Sequence, residues 1–295
     1  MQPRTLIIGT SGQLSTELHR QWHSATAQLL PRRKVELADE RAIKALLDEQ
    51  RPTLIINAAA YTAVDRAEQE RERAFAVNAD GPRFLARWCQ ANGAVLVHVS
   101  TDFVFDGQKP SPYVESDATG PLSVYGSSKL AGEIAVREEL ERHLVLRTSW
   151  VFSAHGHNFV KTIRRLAGEP RPLRVVADQR GRPTSAADLA GAIWRVCGGL
   201  LQSSTAQLPW GTYHLANQGA TTWHGFAQAI VDLDSSAPKS VEPIPSSAYP
   251  SPAARPVNSV LDTELFEMTF GFGLRPFLAA LSEVMAELST ASETR

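Results

Sequence analysis

The 295-residue chain is 43% hydrophobic and 21% charged, long enough for one large domain or two ordinary ones and typical of a globular protein. Its net charge of −1 gives no broad basic field, which sets nucleic acid aside as the main partner. No stretch reaches the roughly 18 apolar residues of a bilayer span, and "MQPRTLIIGT" lacks the basic region and long apolar core of a signal peptide, so no membrane association and a cytoplasmic location are expected.

The first apolar run, "RTLIIG", predicts a short buried strand that turns through glycines into the helical segment "QLSTELHRQW". The next strand is faint and falls somewhere within "ATAQLLPRRKVEL". "DERAIKALLDEQ" puts Ile43, Leu46 and Leu47 on one helical face, and "PTLIINAAA" (52–60) is a clear apolar strand. "RERAFAVNADGPRFLARWCQANG" clusters Phe75, Phe84, Leu85 and Trp88 as a helix would; "AVLVHVSTDFVF" (94–105) and "HLVLRTSWVF" (143–152) are further strands. Apolar strands alternating with helices predict an α/β fold, a doubly wound parallel sheet covered on both faces. Cys89 and Cys197 form neither a zinc spacing nor a CxxC pair and are expected as small buried fillers.

From about Phe159 the segments shorten, and proline, glycine and serine increase. "LRVVADQRGRPTSAADLAGAIWRV" reads as strand, turn and returning helix, and "GTYHLANQGATTWHGFAQAI" repeats that plan with Thr221 or Thr222 as the helix cap. "VEPIPSSAYPSPAARPVNSVLD" has too many prolines for a central strand and is expected as a loop or edge, ending where "DTELFEMTFG" starts a helix. The expected division is a dinucleotide-binding half over 1–158 and a smaller α/β substrate-binding region over 159–295, with 184–198 and 220–232 packing back on the first half. The carboxyl end, "ELSTASETR", is expected to fray.

Chemistry is suggested first by "IIGTSGQLS". Gly9 and Gly12 flank a turn directly after a strand, where glycine lets the backbone approach a pyrophosphate over a helix N-terminus. Ser15 stands at the third position of a GxxGxxG pattern. No acid lies where a ribose ligand is usual; Arg32 and Arg33 stand there, either as acceptors of a 2′-phosphate or as a solvated basic turn. "NAAA" (57–60) and "STD" (100–102) end successive strands, at the edge where open parallel sheets bind ligands. Tyr125 and Lys129 in "PLSVYGSSKLAGE" share one helical face, and a nearby ammonium is expected to lower the phenol's pKa toward the working pH. Alone, such a pair is most often a surface pair; after the glycine turn, "NAAA" and "STD" it becomes specific. His155 and His157 have nothing nearby to complete a metal set, and His214 is expected to pack or hydrogen-bond. Trp150, which ends a strand on the same edge, is a better ligand candidate than Trp223.

Together these segments resemble the extended short-chain dehydrogenases/reductases and, within them, the dTDP-4-dehydrorhamnose reductase family. The resemblance runs over nearly the whole chain and rests on "GTSGQL", "RPTLIINAAAYTAVDRAE", "VHVSTDFVFDG", "PLSVYGSSKLAGE", "LRTSWVF", "NFVKTIRRLA", "DQRGRPTSAADLA", "YHLANQGATTWHGFA" and "AYPSPAARPVNSVLD". It implies a Rossmann-type domain, NADPH or NADH as cofactor, and reduction of a dTDP-ketosugar on the way to a cell-surface polysaccharide. It implies Thr101, Tyr125 and Lys129 as the catalytic trio, with Gly12, Gln13 and Leu14 under the pyrophosphate. Arg32 would then lie near the adenosine ribose, Glu36 and Leu37 beside the adenine, and Ala60, Tyr61, Thr62 and Val99 along the cofactor. Thr101, Asp102 and Trp150 would meet the sugar, and Arg255 the substrate nucleotide.

Three positions depart from the family pattern. Phe103 replaces a usual tyrosine after "STD", Ser15 replaces a glycine, and Ala187 stands where a magnesium-bridged dimer carries a glutamate, which puts that metal bridge in doubt. Monomer or homodimer, and NADH or NADPH, stay open. Another nucleotide-sugar reductase or epimerase of the same fold is the alternative, and a non-catalytic NAD(P)-binding regulatory subunit is the rival from a different class.

Overall fold

The computed structural model describes residues 3–22, 28–31, 36–170, 172–202, 209–234 and 240–293. The first half runs β1 (Arg4–Ile8), α1 (Gln13–Arg20), β2 (Gln28–Leu29), α2 (Glu40–Gln50), β3 (Leu54–Asn57), α3 (Val64–Ala67), α4 (Arg71–Phe75), a π turn (Ala76–Asp80), α5 (Gly81–Asn92), β4 (Val95–Thr101), a 3-10 turn (Asp102–Val104), α6 (Val124–Glu139) and β5 (His143–Thr148). The second runs β6 (Val151–Phe152), α7 (Phe159–Ala167), β7 (Leu173–Val176), β8 (Arg180–Gly181), β9 (Thr184–Ser185), α8 (Ala186–Gln202), β10 (Gly211–His214), β11 (Thr221–Thr222), α9 (Trp223–Leu233), β12 (Val241–Ile244), α10 (Glu264–Phe270) and α11 (Phe277–Glu293). The faint second strand is thus two residues long, inside the predicted segment.

Six strands form one parallel sheet in the order β2-β1-β3-β4-β5-β10. The chain leaves β1 for β2 on one side and returns to β3 on the other, so the topological switch point lies between β1 and β3, at the carboxyl ends of the strands. Strand side chains alternate between faces, and the two cores separate accordingly. Ile7, Leu54, Ile56, Val95, Val97, Leu144 and Leu146 face α1 and α8, meeting Leu14, Leu18, Leu189 and Ile193. Leu6, Ile8, Ile55, Leu96 and Val145 face the other way, toward Ile43 and Leu47 of α2, Leu85 and Trp88 of α5, and Val136 of α6. Near-continuous apolar strands are what burial on both faces demands.

The second half contributes in two ways. Helix α8 packs on the sheet, and β10 extends the sheet as its sixth strand. Helix α9 does not return to the sheet, contrary to the expectation for 220–232. Its buried face of Phe226, Ala227, Ile230 and Val231 joins a third core with Phe152, Ile163, Val175, Phe277 and Leu281, where aromatic partners larger than the sheet's aliphatics receive it. The proline-rich stretch starts with β12, which carries Pro243 and pairs only with β7 in a two-stranded ribbon; the missing N–H is tolerated there. Thr222 caps α9 by accepting the Gly225 N–H at 3.0 Å. Helix α11 continues to Glu293, through most of the segment expected to fray. Both cysteines are buried, and burial pushes each thiol up to about 12, which suits inert filler.

Candidate active site

The switch point is built for close backbone approach. Gly9 has φ of 118°, a region favouring glycine, and an added Cβ would sit 3.3 Å from the Ala59 nitrogen. Gly12 is the N-cap of α1, has no atom within 4 Å of an added Cβ, and leaves the first turn of the helix without a side-chain cap. The unpaired N–H groups of that turn, with the positive end of the helix dipole, are a fitting seat for a pyrophosphate. Ser15 does more than replace a glycine: its hydroxyl donates to the Gly9 carbonyl at 2.5 Å and ties the loop to the helix. Gln13 anchors the floor, donating to the Val151 carbonyl at 3.2 Å and accepting from the Ser153 hydroxyl at 3.0 Å.

Two of the expected cofactor positions offer backbone and not side chain. The Leu14 and Leu37 side chains lie in the two sheet cores, 7% and 3% exposed, because each sits where a helix or loop must cover strand aliphatics. Only their backbones are left to face a ligand. Glu36 is exposed beside Leu37. Arg32, with Arg33, lies outside the described residues. Ala60 and Tyr61 are half-buried and Thr62 is exposed. Asn78, from the π turn, accepts the Tyr61 N–H at 2.8 Å and donates to the Tyr61 carbonyl at 3.1 Å and to Ser128 Oγ at 3.0 Å. It therefore locks the loop after β3 to α6.

Helix α6 carries the phenol and the ammonium. Ser123 caps it by accepting the Gly126 N–H at 3.1 Å, and Glu68 accepts the Val124 N–H at 2.8 Å. The small residues around Tyr125 and Lys129 are a steric requirement: a Cβ on Gly126 would lie 2.3 Å from the Phe103 carbonyl oxygen, and one on Gly132 would lie 2.0 Å from that of Asn78. The helix is thereby pressed against the end of β4. Thr101 and Tyr125 meet there and hydrogen-bond, while Thr101 Oγ1 donates to Asp102 Oδ1 at 3.0 Å. Phe103, in place of the usual tyrosine, meets the Tyr125 ring edge-on with centroids 5.7 Å apart.

Lys129 is 2% exposed, and its Nζ donates to the Val99 carbonyl at 2.7 Å. Burial pulls its pKa down to about 8 against the opposing pull of Glu133. The expectation that Lys129 would acidify Tyr125 is not met. Burial pushes the phenol up to about 12; the Thr101 hydrogen bond works against this and the Asp102 charge adds to it. Tyr125 thus carries its proton at neutral pH. Asp102 is 1% exposed, and burial raises its pKa to about 7 against the hydrogen bonds of Ser259 and Thr101.

Below this group lies a buried network that sequence reasoning did not identify. Glu133, fully buried one turn after Lys129, accepts from Ser100 Oγ at 2.6 Å, from Arg147 Nη2 at 2.8 Å and from Arg137 at 3.1 Å. It fixes the residue beside Thr101 to the helix of Tyr125. Asn57, the polar residue of "NAAA", accepts the Ala59 N–H at 3.2 Å and shapes the turn. The available signal was a polar residue at a position whose periodicity demands an apolar one. His214 is buried, lies edge-on to Phe105, and is pushed by burial down to about 3, the packing role expected of it. No group of three His, Cys, Asp or Glu among the described residues is placed to hold a metal ion.

The expected substrate residues lie on the adjoining side. Trp150 has φ of 47°, strained for a bulky residue, and stacks on Trp223 at 3.5 Å and 8°. Gly181 makes room for it, since a Cβ there would come within 2.4 Å of the indole. Trp223 continues into a cavity of about 310 Å³ lined also by Phe159, Val176, Tyr249, Arg174 and Arg255. Apolar walls with two guanidinium groups suit a base bearing phosphates. Trp150 and Arg255, far apart in sequence, are thus linked by Trp223.

With this geometry in place, the relatives can be compared. Residues 3–290 match the RmlD substrate binding domain family. A dTDP-4-dehydrorhamnose reductase from Sinorhizobium fredii is 43% identical over 275 residues, 92% of this chain and 93% of its own length. One from Burkholderia thailandensis is 40% identical over 295 residues, 97% of this chain and 99% of its own. The crystal structure of dTDP-4-dehydrorhamnose reductase from Bacillus anthracis in complex with NADP superposes with a TM-score of 0.89 at 35% identity, covering 97% of this chain and all of that one. Sheet order, glycine turn and sequence agree on one conclusion: the chain belongs to the RmlD substrate binding domain family.

Proposed function

We propose that this chain is an NAD(P)H-dependent dTDP-4-dehydrorhamnose reductase, converting the C4 ketone of dTDP-6-deoxy-L-lyxo-4-hexulose to the alcohol of dTDP-L-rhamnose. The observation that carries the reading is convergence: Thr101 meets Tyr125 at the sheet's carboxyl edge, Lys129 one helical turn on is tied to the same strand through Val99, and the glycine turn lies on that edge of the same sheet. Relatives of the same name over nearly the whole length support it.

The residues present fit a dinucleotide: Gly9 and Gly12 leave the backbone open to close approach, the uncapped turn of α1 would hold its pyrophosphate, and Lys129 would hold its ribose hydroxyls. When bound, the reduced nicotinamide supplies the hydride. Tyr125 holds its proton until negative charge develops on the substrate's C4 oxygen, then gives it up as general acid. Thr101 has one hydroxyl proton, given to Asp102 in the present arrangement; turned toward the ketone, it orients the carbonyl and stabilises the forming alkoxide. Lys129, held by the Val99 carbonyl one helical turn from Tyr125, contributes a positive charge to this end of the sheet. Trp150 packs against the sugar, Arg255 meets the nucleotide's charge, and the sheet half and third-core half divide the work into cofactor and substrate binding.

Purified protein given NADPH or NADH and a panel of dTDP- and GDP-ketosugars tests this, with product stereochemistry read by NMR. Formation of dTDP-L-rhamnose is the expected result. Turnover of a GDP-sugar alone would overturn the assignment, and competing titrations of the two reduced cofactors rank them.

A further inference from the structure

Arg255 is not free in its cavity. Its Nη2 donates to Asp65 Oδ2 at 2.9 Å, and its Nη1 donates to the Ala253 carbonyl at 3.1 Å. The other Asp65 oxygen accepts the Ala253 N–H at 3.2 Å. One carboxylate thus holds both the backbone and the side chain of the same strap. The strap is bolted at its far end as well: Pro256 packs so tightly on Gly107 that a Cβ there would come within 2.4 Å, and Asn258 Nδ2 donates to the carbonyls of Lys109 and Ser111 at 2.7 and 3.0 Å.

Asp65 lies on α3, three residues beyond Thr62 of the loop after β3, and α3 is followed by Glu68, which accepts the Val124 N–H beside Tyr125. The Asp65 and Arg255 side chains are 44% and 25% exposed, so solvent screens the pair and it contributes little to stability. What it does fix is direction. A guanidinium is a planar fork of five donors, and the two bonds from Nη1 and Nη2 set its plane and leave its remaining N–H groups to a ligand.

Resting on the reductase reading above, we infer that Asp65 is a positioning residue for the substrate nucleotide: by holding Arg255 and its strap, it presents the guanidinium edge-on to the diphosphate. Preorganisation of this kind lowers the ordering cost of binding, so its loss falls on affinity. Asp65 itself touches no reacting atom.

The test is calorimetric titration of thymidine diphosphate into the wild type, Asp65→Asn, Arg255→Gln and the double variant, beside steady-state kinetics and thermal melts of each. Asp65→Asn is expected to melt like the wild type, to bind the diphosphate about tenfold more weakly, and to raise KM by a similar factor while kcat changes less than about threefold. The double variant is expected to bind no worse than Arg255→Gln alone, because Asp65 acts through Arg255. Additive losses, diphosphate binding by Asp65→Asn equal to wild type, or a fall in kcat without a rise in KM would overturn the inference while leaving the reductase reading intact. A wild type that binds no thymidine diphosphate would overturn both.

Discussion

The edge that carries Thr101, Tyr125 and Lys129 and the cavity that carries Trp223 and Arg255 are neighbours built by different physics. The first is fixed by backbone: Gly126 and Gly132 let α6 touch the Phe103 and Asn78 carbonyls, and Asn78, Val99 and Glu133 hold the loop, the ammonium and the strand beneath by hydrogen bonds. The second is fixed by side chains: stacked indoles and a partly exposed ion pair. Displacing the first moves reacting groups relative to one another, whereas loosening the second changes how firmly a ligand is held. The two regions should therefore separate kinetically, damage to the edge lowering kcat and damage to the cavity raising KM.

The largest effect should come from Tyr125→Phe, which removes the proton donor and keeps the ring. Turnover should fall by about 10³-fold with NADPH affinity within about twofold, measured by stopped-flow and fluorescence titration. A loss under about tenfold would break the division at its strongest point. Next is Gly126→Val. The new Cβ must displace the Phe103 carbonyl or the start of α6, so kcat should fall by about 10²-fold, more than KM rises. Trp223→Ala should do the opposite, raising KM for the dTDP-sugar roughly tenfold with kcat nearly unchanged, and Trp223→Phe should recover most of the loss by keeping a ring against Trp150. The smallest effect is that of pH. Burial holds Lys129 near 8, so its positive charge is present below that pH and lost above it; NADPH binding should weaken as pH rises through about 8, by no more than tenfold per unit, instead of near 10.5. Lys129→Met should abolish this limb, and a limb that survives in that variant assigns it to another group.

The sheet was legible because burial on both faces writes continuous apolar strands, and α2 and α5 because their apolar periods are local. Two features were not. Helix α9 has the same local pattern as α8, and only the aromatic partners it meets from α7 and α11 distinguish third core from sheet. The Tyr125 environment was read from helical spacing, which brings Lys129 to the same face but does not show that Val99 engages the ammonium, or that burial outweighs any attraction. Asn78 and Glu133 act across elements up to 50 residues apart, beyond the reach of a local window. The placement of Thr101 at a strand end and of Tyr125 and Lys129 on one helix was legible, whereas Trp150 and Arg255 could be tied together only once Trp223 was seen between them.

Gly181 and Trp150 occupy one volume between them, and this constrains how the enzyme can be remodelled. Any side chain at 181 evicts the indole while Trp150 is present; a smaller residue at 150 removes that obstacle and relieves the strained backbone. The two positions must change together, and paired libraries at 150 and 181 should yield folded variants with a larger side chain at 181 where single replacements there do not.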